Sequence, residues 1–288
     1  MQLEQPTSLD GAVAALARWG DDARLIAGGT AVVLMLKNRL IAPGALVSLE
    51  RVPGLRYVRH EPGVGLRIGA LTTIREAELD PLVRERNPTL AQTFAKVANV
   101  RVRHAATVGG NLSEADYASD PPCVLVAMDG RVKAVGPRGE REIPLGEFFT
   151  GFYETALAPD EILTELIVPD PSPTTHSAYI KHVTRSSEDR PCVGMAAVVE
   201  MGADGVCQDL HVVAGAVADR PQTVPQAEAL ARGQPLTDDL IAEVAAAFAA
   251  AIEPLSDVRG SEWYRKQVAA VLVRRAIRQA LAANGGRG

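Results

Sequence analysis

Two short glycine pairs constrain this chain more than any other feature. Ala27-Gly28-Gly29-Thr30-Ala31 follows the apolar run Leu25-Ile26, and Thr107-Val108-Gly109-Gly110-Asn111-Leu112 is followed by Asp116 and Asp120. Glycine lacks a Cβ and tolerates positive φ, so at each place the backbone can come close to a bulky anionic ligand. Adjacent amides in a turn, or at a helix start, then form a phosphate cradle. Either motif alone is as well explained by a plain strand-to-helix turn. Two of them, about eighty residues apart and each beside hydroxyl residues, point to a diphosphate held from two sides. Thr30, Thr107, Asn111 and Ser113 can donate to phosphate oxygens. Asp116 and Asp120 would repel phosphate and suit sugar or sugar-alcohol hydroxyls instead.

The bulk properties narrow the setting. A chain of 288 residues, 47% hydrophobic, is too long for one small core and calls for two or three packed units. Net charge is −5, with no basic stripe interleaved with aromatics, which argues against nucleic acid as the main partner. No apolar run reaches the roughly 18 residues of a membrane span. The start, Met1 to Pro6, has neither the basic region nor the apolar core of a signal peptide. Cys123, Cys192 and Cys207 are scattered and form neither a disulfide framework nor a metal knuckle. The expectation is a cytoplasmic protein that carries no iron–sulfur cluster of its own.

Local patterns give an element order. Ser8 caps a first helix to Trp19. A strand over 24–27 ends at the first glycine pair, Thr30 caps a helix to Lys37, and 45–49 is the next strand, making a β-α-β unit. Short strands follow at 56–60 and 65–70, then a helical stretch to Val100 broken at Pro88, the second glycine turn, and a helix after Pro121-Pro122. Further strands are expected at 131–135, 141–143 and 162–168. Pro169, Pro171 and Pro173 mark the best domain boundary. Beyond it, 177–184, 195–200 and 208–216 alternate as in an antiparallel sheet. An amphipathic helix over 237–252 buries Ile241, Val244, Ala245, Phe248 and Ile252. A terminal helix over 261–282 presents Tyr264, Val268, Val271 and Leu272, and the tail from Asn284 to Gly288 frays.

Other features weigh less. Gly63-Val64-Gly65-Leu66-Arg67-Ile68-Gly69 imitates a dinucleotide fingerprint, but its spacing is wrong and a strand follows it, so it reads as a hairpin. Arg101-Val102-Arg103-His104 is either a local attraction for diphosphate or a solvated face. Lys181 and Arg185 share one side of a strand, if the strand reaches both. The histidines, at 60, 104, 176, 182 and 211, show no ligand spacing.

Taken together, these motifs resemble the FAD-binding medium subunit of molybdenum hydroxylases, the carbon monoxide dehydrogenase/xanthine dehydrogenase family. Gly65 to Thr73, Phe148 to Leu157, Tyr264 to Gln267 and Val271 to Ala276 add to the likeness, which runs from about Leu25 to Ala280. The resemblance implies an α+β fold. A PCMH-type FAD-binding region of two α/β subdomains (about 1–55 and 56–172) would precede a C-terminal antiparallel sheet with flanking helices (173–288). It implies that Ala27, Gly28, Gly29, Thr30 and Ala31, with Thr107, Gly109, Gly110 and Asn111, wrap the FAD diphosphate. Asp120 would lie near the ribityl chain and flavin ring, with Asp116 as a less secure neighbour, and Lys181 would approach the isoalloxazine. FAD would be held non-covalently, so His104 is no linkage site. The molybdenum cofactor and [2Fe-2S] clusters would sit in large and small partner subunits, in a dimer of heterotrimers. The cysteine-rich insertion of the benzoyl-coenzyme A reductase branch is missing. A stand-alone flavin oxidase and a non-catalytic flavin-binding assembly protein stay open as alternatives. The substrate and the acceptor are not legible, although a quinone, a cytochrome or oxygen is favoured over NAD.

Overall fold

The computed structural model describes residues 1–282; the tail expected to fray lies outside them. The first unit is a parallel sheet in the order β1-β3-β2. Strand β1 (Gln2–Glu4), absent from the sequence reading, is only three residues long and is followed by helix α1 (Leu9–Trp19). Ser8 caps α1 by accepting from the Gly11 amide at 3.1 Å. Strand β2 (Ala23–Ile26), helix α2 (Val32–Lys37) and strand β3 (Ala45–Ser48) complete the expected β-α-β crossover. Ala12, Val13, Ala15 and Leu16 of α1 pack against Val47 and Leu49, so this unit has its own small core.

The second unit begins with hairpin β4 (Val58–Glu61) and β5 (Gly65–Gly69). Gly63 takes φ 80° and Gly65 φ 119° in this hairpin, which settles the fingerprint imitation as a turn. The helical stretch that follows is four short helices: α3 (Ile74–Leu79), α4 (Pro81–Arg86), α5 (Pro88–Ala95) and α6 (Val100–Ala105). Each break carries its own stop and restart. Asp80 and Asn87 accept amides of the next helix, Pro81 and Pro88 occupy first-turn positions, and Asn99 caps α6. Helices α7 (Val108–Glu114) and α8 (Asp120–Ala127) come next, then hairpin β6 (Arg131–Gly136) and β7 (Gly139–Pro144). A one-turn helix α9 (Leu145–Phe148), the small pair β8 (Phe149–Gly151) and β9 (Glu154–Thr155), and β10 (Ile162–Val168) finish the unit. Strand β10 is buried at all seven positions because it is central, in the antiparallel order β4-β5-β10-β6-β7.

The third unit is an antiparallel sheet of β11 (Thr175–His182), β12 (Val193–Met201), β13 (Cys207–Gly215) and β14 (Gln222–Thr223). Helices α10 (Pro225–Ala229), α11 (Asp238–Ala251) and α12 (Glu262–Ala282) follow. Alternation along the strands decides what each face touches. Ala178, Met195, Ala197, Val212 and Ala214 share a core with α11 and α12. Tyr179, Ala196 and Val213 face the other way and join the core that contains Cys123 and Val124 of α8. The sheet is therefore held between α12 and α8, which fastens the C-terminal unit to the second unit. The five residues expected to share a face of α11 or its end are all buried. The face of α12 matches the expected one only in part: Leu272 is buried, and Tyr264 and Val268 pack against the core from its edge. Arg265, Ala269, Leu272, Val273, Ala276, Ile277 and Ala280 are buried, while Tyr264, Val268 and Val271 sit at its margin. Small alanines against the sheet set that register, and they are weak markers in a sequence.

Candidate functional site

Helix α2 begins beyond the C-terminal end of parallel strand β2, where α/β units bind ligands. The turn between them is Ala27 to Ala31. A Cβ on Gly28 would fall 1.8 Å from the Ala105 carbonyl oxygen, so only glycine lets this turn lie against the α6–α7 connection. Gly29 takes φ 71°, a left-handed conformation that favours glycine. Among the described residues, no backbone or side-chain acceptor takes the amides of Gly28, Gly29, Thr30 or Ala31; the carbonyl oxygen of Gly29 accepts from Val33 at 2.9 Å. The expected cap by Thr30 is not made. Ala31 is the residue before α2, it is already in the right-handed helical region, and no side chain caps this end. Thr30 instead lines the adjoining cleft.

The second glycine pair is built differently. Thr107 is the N-cap of α7 and accepts from the Gly110 amide at 3.0 Å. The amides of Val108 and Gly109 bond to the carbonyls of Thr72 and Ala70, each at 2.9 Å, and that of Asn111 to the Thr107 carbonyl. Expecting both pairs to offer free amides is therefore corrected for the second: its donors are spent on the cap and on the strand end at 70–72. Gly109 is required by packing, since a Cβ there would stand 2.6 Å from the Ala70 Cβ. At Gly110 a Cβ would approach only the Thr107 hydroxyl, at 2.8 Å. Asn111 exchanges side-chain contact with Ser119 at 2.9 Å.

Both motifs open onto one cleft of about 890 Å³. Its walls include all twelve residues singled out from the sequence: Ala27 to Ala31, Thr107, Gly109, Gly110, Asn111, Asp116, Asp120 and Lys181. That volume is of the size that holds a cofactor.

Asp120 opens α8, and its side chain is 5% exposed. Its Oδ1 accepts from the Tyr179 hydroxyl at 2.6 Å and its Oδ2 from Lys181 Nζ at 2.9 Å. Tyr179 and Lys181 are two apart on β11, so the pleat aims both at the same side. Burial pushes the Asp120 carboxyl above its ordinary range, opposed by Lys181, by the hydroxyl of Tyr179 and by Lys96. The same burial, together with the Asp120 charge, drives the Tyr179 phenol well above its usual value, so it stays a neutral donor. Asp116 accepts from Arg190 Nε at 2.5 Å and from the Ala118 amide at 3.1 Å, an arrangement that ties it to the loop after β11.

The geometry decides other readings that the residues left open. Arg103 is turned to Glu78 at 2.9 Å and to the carbonyls of Val97 and Ala98, while Arg101 and His104 are exposed, and none of the three lines the cleft. Strand β11 ends at His182, so Arg185 falls in an exposed loop and does not share a strand face with Lys181. No histidine lines the cleft, and no group of metal-ligating side chains occurs among the described residues. Arg24, Glu114 and Arg190, also in the walls, were not singled out. No short motif marks them, because they reach the cleft through the tertiary fold. The Tyr179 hydroxyl could have been found from the two-residue period of β11.

The fold and the cleft define a protein of three units with one large cleft, rimmed by two glycine turns and walled by residues of all three. Residues 1–171 match the family described as FAD binding domain in molybdopterin dehydrogenase, and residues 178–280 match the CO dehydrogenase flavoprotein C-terminal domain. The carbon monoxide dehydrogenase medium chain of Hydrogenophaga pseudoflava is 32% identical over 279 residues, covering 96% of each chain. The 6-hydroxypseudooxynicotine dehydrogenase complex subunit alpha of Paenarthrobacter nicotinovorans is 33% identical over 277 residues, 95% of this chain and 92% of that one. Among solved structures, a carbon monoxide dehydrogenase from H. pseudoflava that lacks the Mo-pyranopterin moiety superposes with a TM-score of 0.94 at 32% identity, covering 98% of this chain and 97% of that one. This chain belongs to the FAD-binding medium subunits of the molybdenum hydroxylases, the carbon monoxide dehydrogenase/xanthine dehydrogenase family. It is an oxidoreductase subunit whose cofactor is FAD. No helix among the described residues is long and apolar enough to cross a membrane.

Proposed function

We propose that this chain carries electrons through its FAD within a heteromeric molybdenum hydroxylase. The partners are a large subunit with the molybdenum cofactor, where substrate is oxidised, and a small subunit with [2Fe-2S] clusters, together forming a dimer of heterotrimers in the cytoplasm. Bound FAD supplies the redox chemistry, passing electrons on to an external acceptor. The chain's own residues bind and bias it. The reading divides the molecule at Pro169–Pro173 into a cofactor-binding unit (1–172) and a C-terminal unit that contributes Lys181.

The observation that carries this reading is the run of unbonded amides at Gly28 to Ala31 in the same cleft as the buried Asp120–Lys181 pair. Free amides in a glycine turn suit a diphosphate. Thr30 adds a hydroxyl beside them, while Thr107, Gly109 and Gly110 supply a close wall with little side chain. Asp120 has one partner on each oxygen, which leaves lone pairs for a sugar-alcohol hydroxyl. Lys181 spends two of its three N–H donors on Asp120 and on the Lys96 carbonyl, so one is left for the flavin. The two relatives above are named for carbon monoxide and for 6-hydroxypseudooxynicotine, which accords with substrate choice residing in another subunit.

The test is purification through a tag on this chain. Acid-released FAD in a one-to-one ratio, with two co-purifying subunits bearing molybdenum and iron, is the expected result. FAD without partners would transfer the reading to a stand-alone oxidase, and no flavin even after incubation with excess FAD would overturn it.

A further inference from the structure

A second lysine stands behind Lys181. Lys96 is the residue that ends α5. Its ammonium donates to the Tyr179 carbonyl at 2.8 Å and lies 5.1 Å from the centroid of the Tyr179 ring. Its own carbonyl accepts from Lys181 Nζ at 2.7 Å. The end of α5 and strand β11 are therefore cross-tied: the Lys96 ammonium holds the β11 backbone at Tyr179, and the Lys181 ammonium of β11 holds the Lys96 carbonyl. Asp120 closes the cluster through Lys181 and the Tyr179 hydroxyl. Segments 96, 120 and 179–181, distant in sequence, meet at this one point.

The charge does not balance. Two lysines meet here and Asp120 is ion-paired to one of them, Lys181, while Tyr179 and Cys123 beside it are both held neutral. With both lysines as ammonium groups the cluster has one more positive than negative charge; the Asp120 and Lys181 side chains are 5% and 6% exposed, and Lys96 is half-buried behind them. Burial and the neighbouring Lys181 charge pull the Lys96 ammonium below its ordinary range, and Asp120 opposes them. An unpaired charge partly withdrawn from water costs free energy and is poorly explained as a stability device. A single lysine would satisfy Asp120. The cleft that Lys181 and Asp120 line offers the place for a balancing anion.

We propose that Lys96 is a positioning residue for the flavin: its charge and its hold on β11 make the Lys181–Asp120–Tyr179 cluster favour reduced, anionic FAD over oxidised FAD. The proposal rests on the reading above, in which FAD occupies this cleft. The couple concerned is FAD plus two electrons, delivered by the iron–sulfur partner, plus one solvent proton, giving the monoanion FADH⁻. A cation held nearby stabilises the product of that step more than the reactant.

The experiment is a dye-coupled spectral redox titration of the assembled holoenzyme carrying Lys96→Met, Lys96→Gln or Lys96→Arg. Gln keeps a donor for the Tyr179 carbonyl without charge, and Arg keeps the charge. The expected result is at least a tenfold loss of preference for reduced FAD in the Met and Gln variants, which is about 30 mV downward for a two-electron couple. The Arg variant stays near the wild-type potential. Wild-type potentials in flavin-loaded Met or Gln enzyme overturn the proposal. If both neutral variants lose FAD, retention by the Arg variant supports it. Loss from all three overturns it in favour of a packing role. Wild-type enzyme without FAD would instead defeat the underlying reading.

Discussion

Single atoms separate the roles of the four glycines. Gly28 and Gly109 are packing glycines, where a Cβ would collide with the Ala105 carbonyl and with Ala70, whereas at Gly110 a Cβ would crowd only the Thr107 hydroxyl that caps α7. Gly28→Ala must push the first turn off the α6–α7 connection. We expect a folded chain that purifies with most of its FAD lost, and a variant with full flavin content would show that the turn can shift at little cost. Lys181→Met removes the donor that Asp120 leaves available for the flavin. It is expected to lower the flavin potential or change the reoxidation rate, and both being unchanged would remove Lys181 from the chemistry. The glycine pairs were legible because glycine at a strand end has few explanations. Which amides are free was not legible. The pairing of Val108 and Gly109 with Thr72 and Ala70 is a contact between segments nearly forty residues apart.

At the scale of elements, capping decides what the two threonines do. Thr107 caps α7 and Thr30 caps nothing. Thr107→Ala is expected to cost about 1 kcal/mol in urea unfolding. Thr30→Ala is expected to change stability by less than about 0.5 kcal/mol, as at an ordinary surface position, while weakening FAD binding. Equal losses from the two would contradict the assignment. A helix with a strong cap was readable in advance, as Ser8 shows. Strand β1 was missed because three residues carry no period. The face of α12 was only partly readable because three of its seven buried positions are alanine, and because Arg265 is fully buried there. The Arg265 guanidinium reaches the Ala216 carbonyl and Asp257 Oδ1, partners that no helical pattern can foretell.

Across the whole molecule, Asp257 links the C-terminal helix to the cleft side. It accepts from Arg265 at 2.5 Å, from the Arg259 amide at 2.7 Å and from the Tyr117 hydroxyl at 2.9 Å. Burial alone would raise its carboxyl, but the Arg259 amide, the Tyr117 hydroxyl and the Arg259 and Arg265 guanidiniums outweigh it and hold it at about 2, against 3.8 unperturbed. A depressed carboxylate stabilises the fold above its unfolded value and loses that contribution as pH falls through its folded value. Asp257→Asn is therefore expected to cost about 2 kcal/mol at pH 7, with the difference from wild type shrinking between about pH 4 and pH 2. A difference that does not vary with pH would assign the loss to packing. The parallel β-α-β unit and the C-terminal antiparallel sheet were foreseeable from strand patterns. The meeting of residues 96, 120 and 181 was not, since it depends on α8 packing against β12 and β13.

The central claim is that the unbonded amides of Gly28 to Ala31 hold the diphosphate of FAD. The most direct measurement is calorimetric titration of the flavin-depleted assembly with FAD, ADP and riboflavin. The account predicts tight FAD binding, competition by ADP, and riboflavin weaker than FAD by about a hundredfold or more, since charge-assisted hydrogen bonds contribute about 1.5–3 kcal/mol each. Riboflavin binding as tightly as FAD, with no competition from ADP, would contradict it.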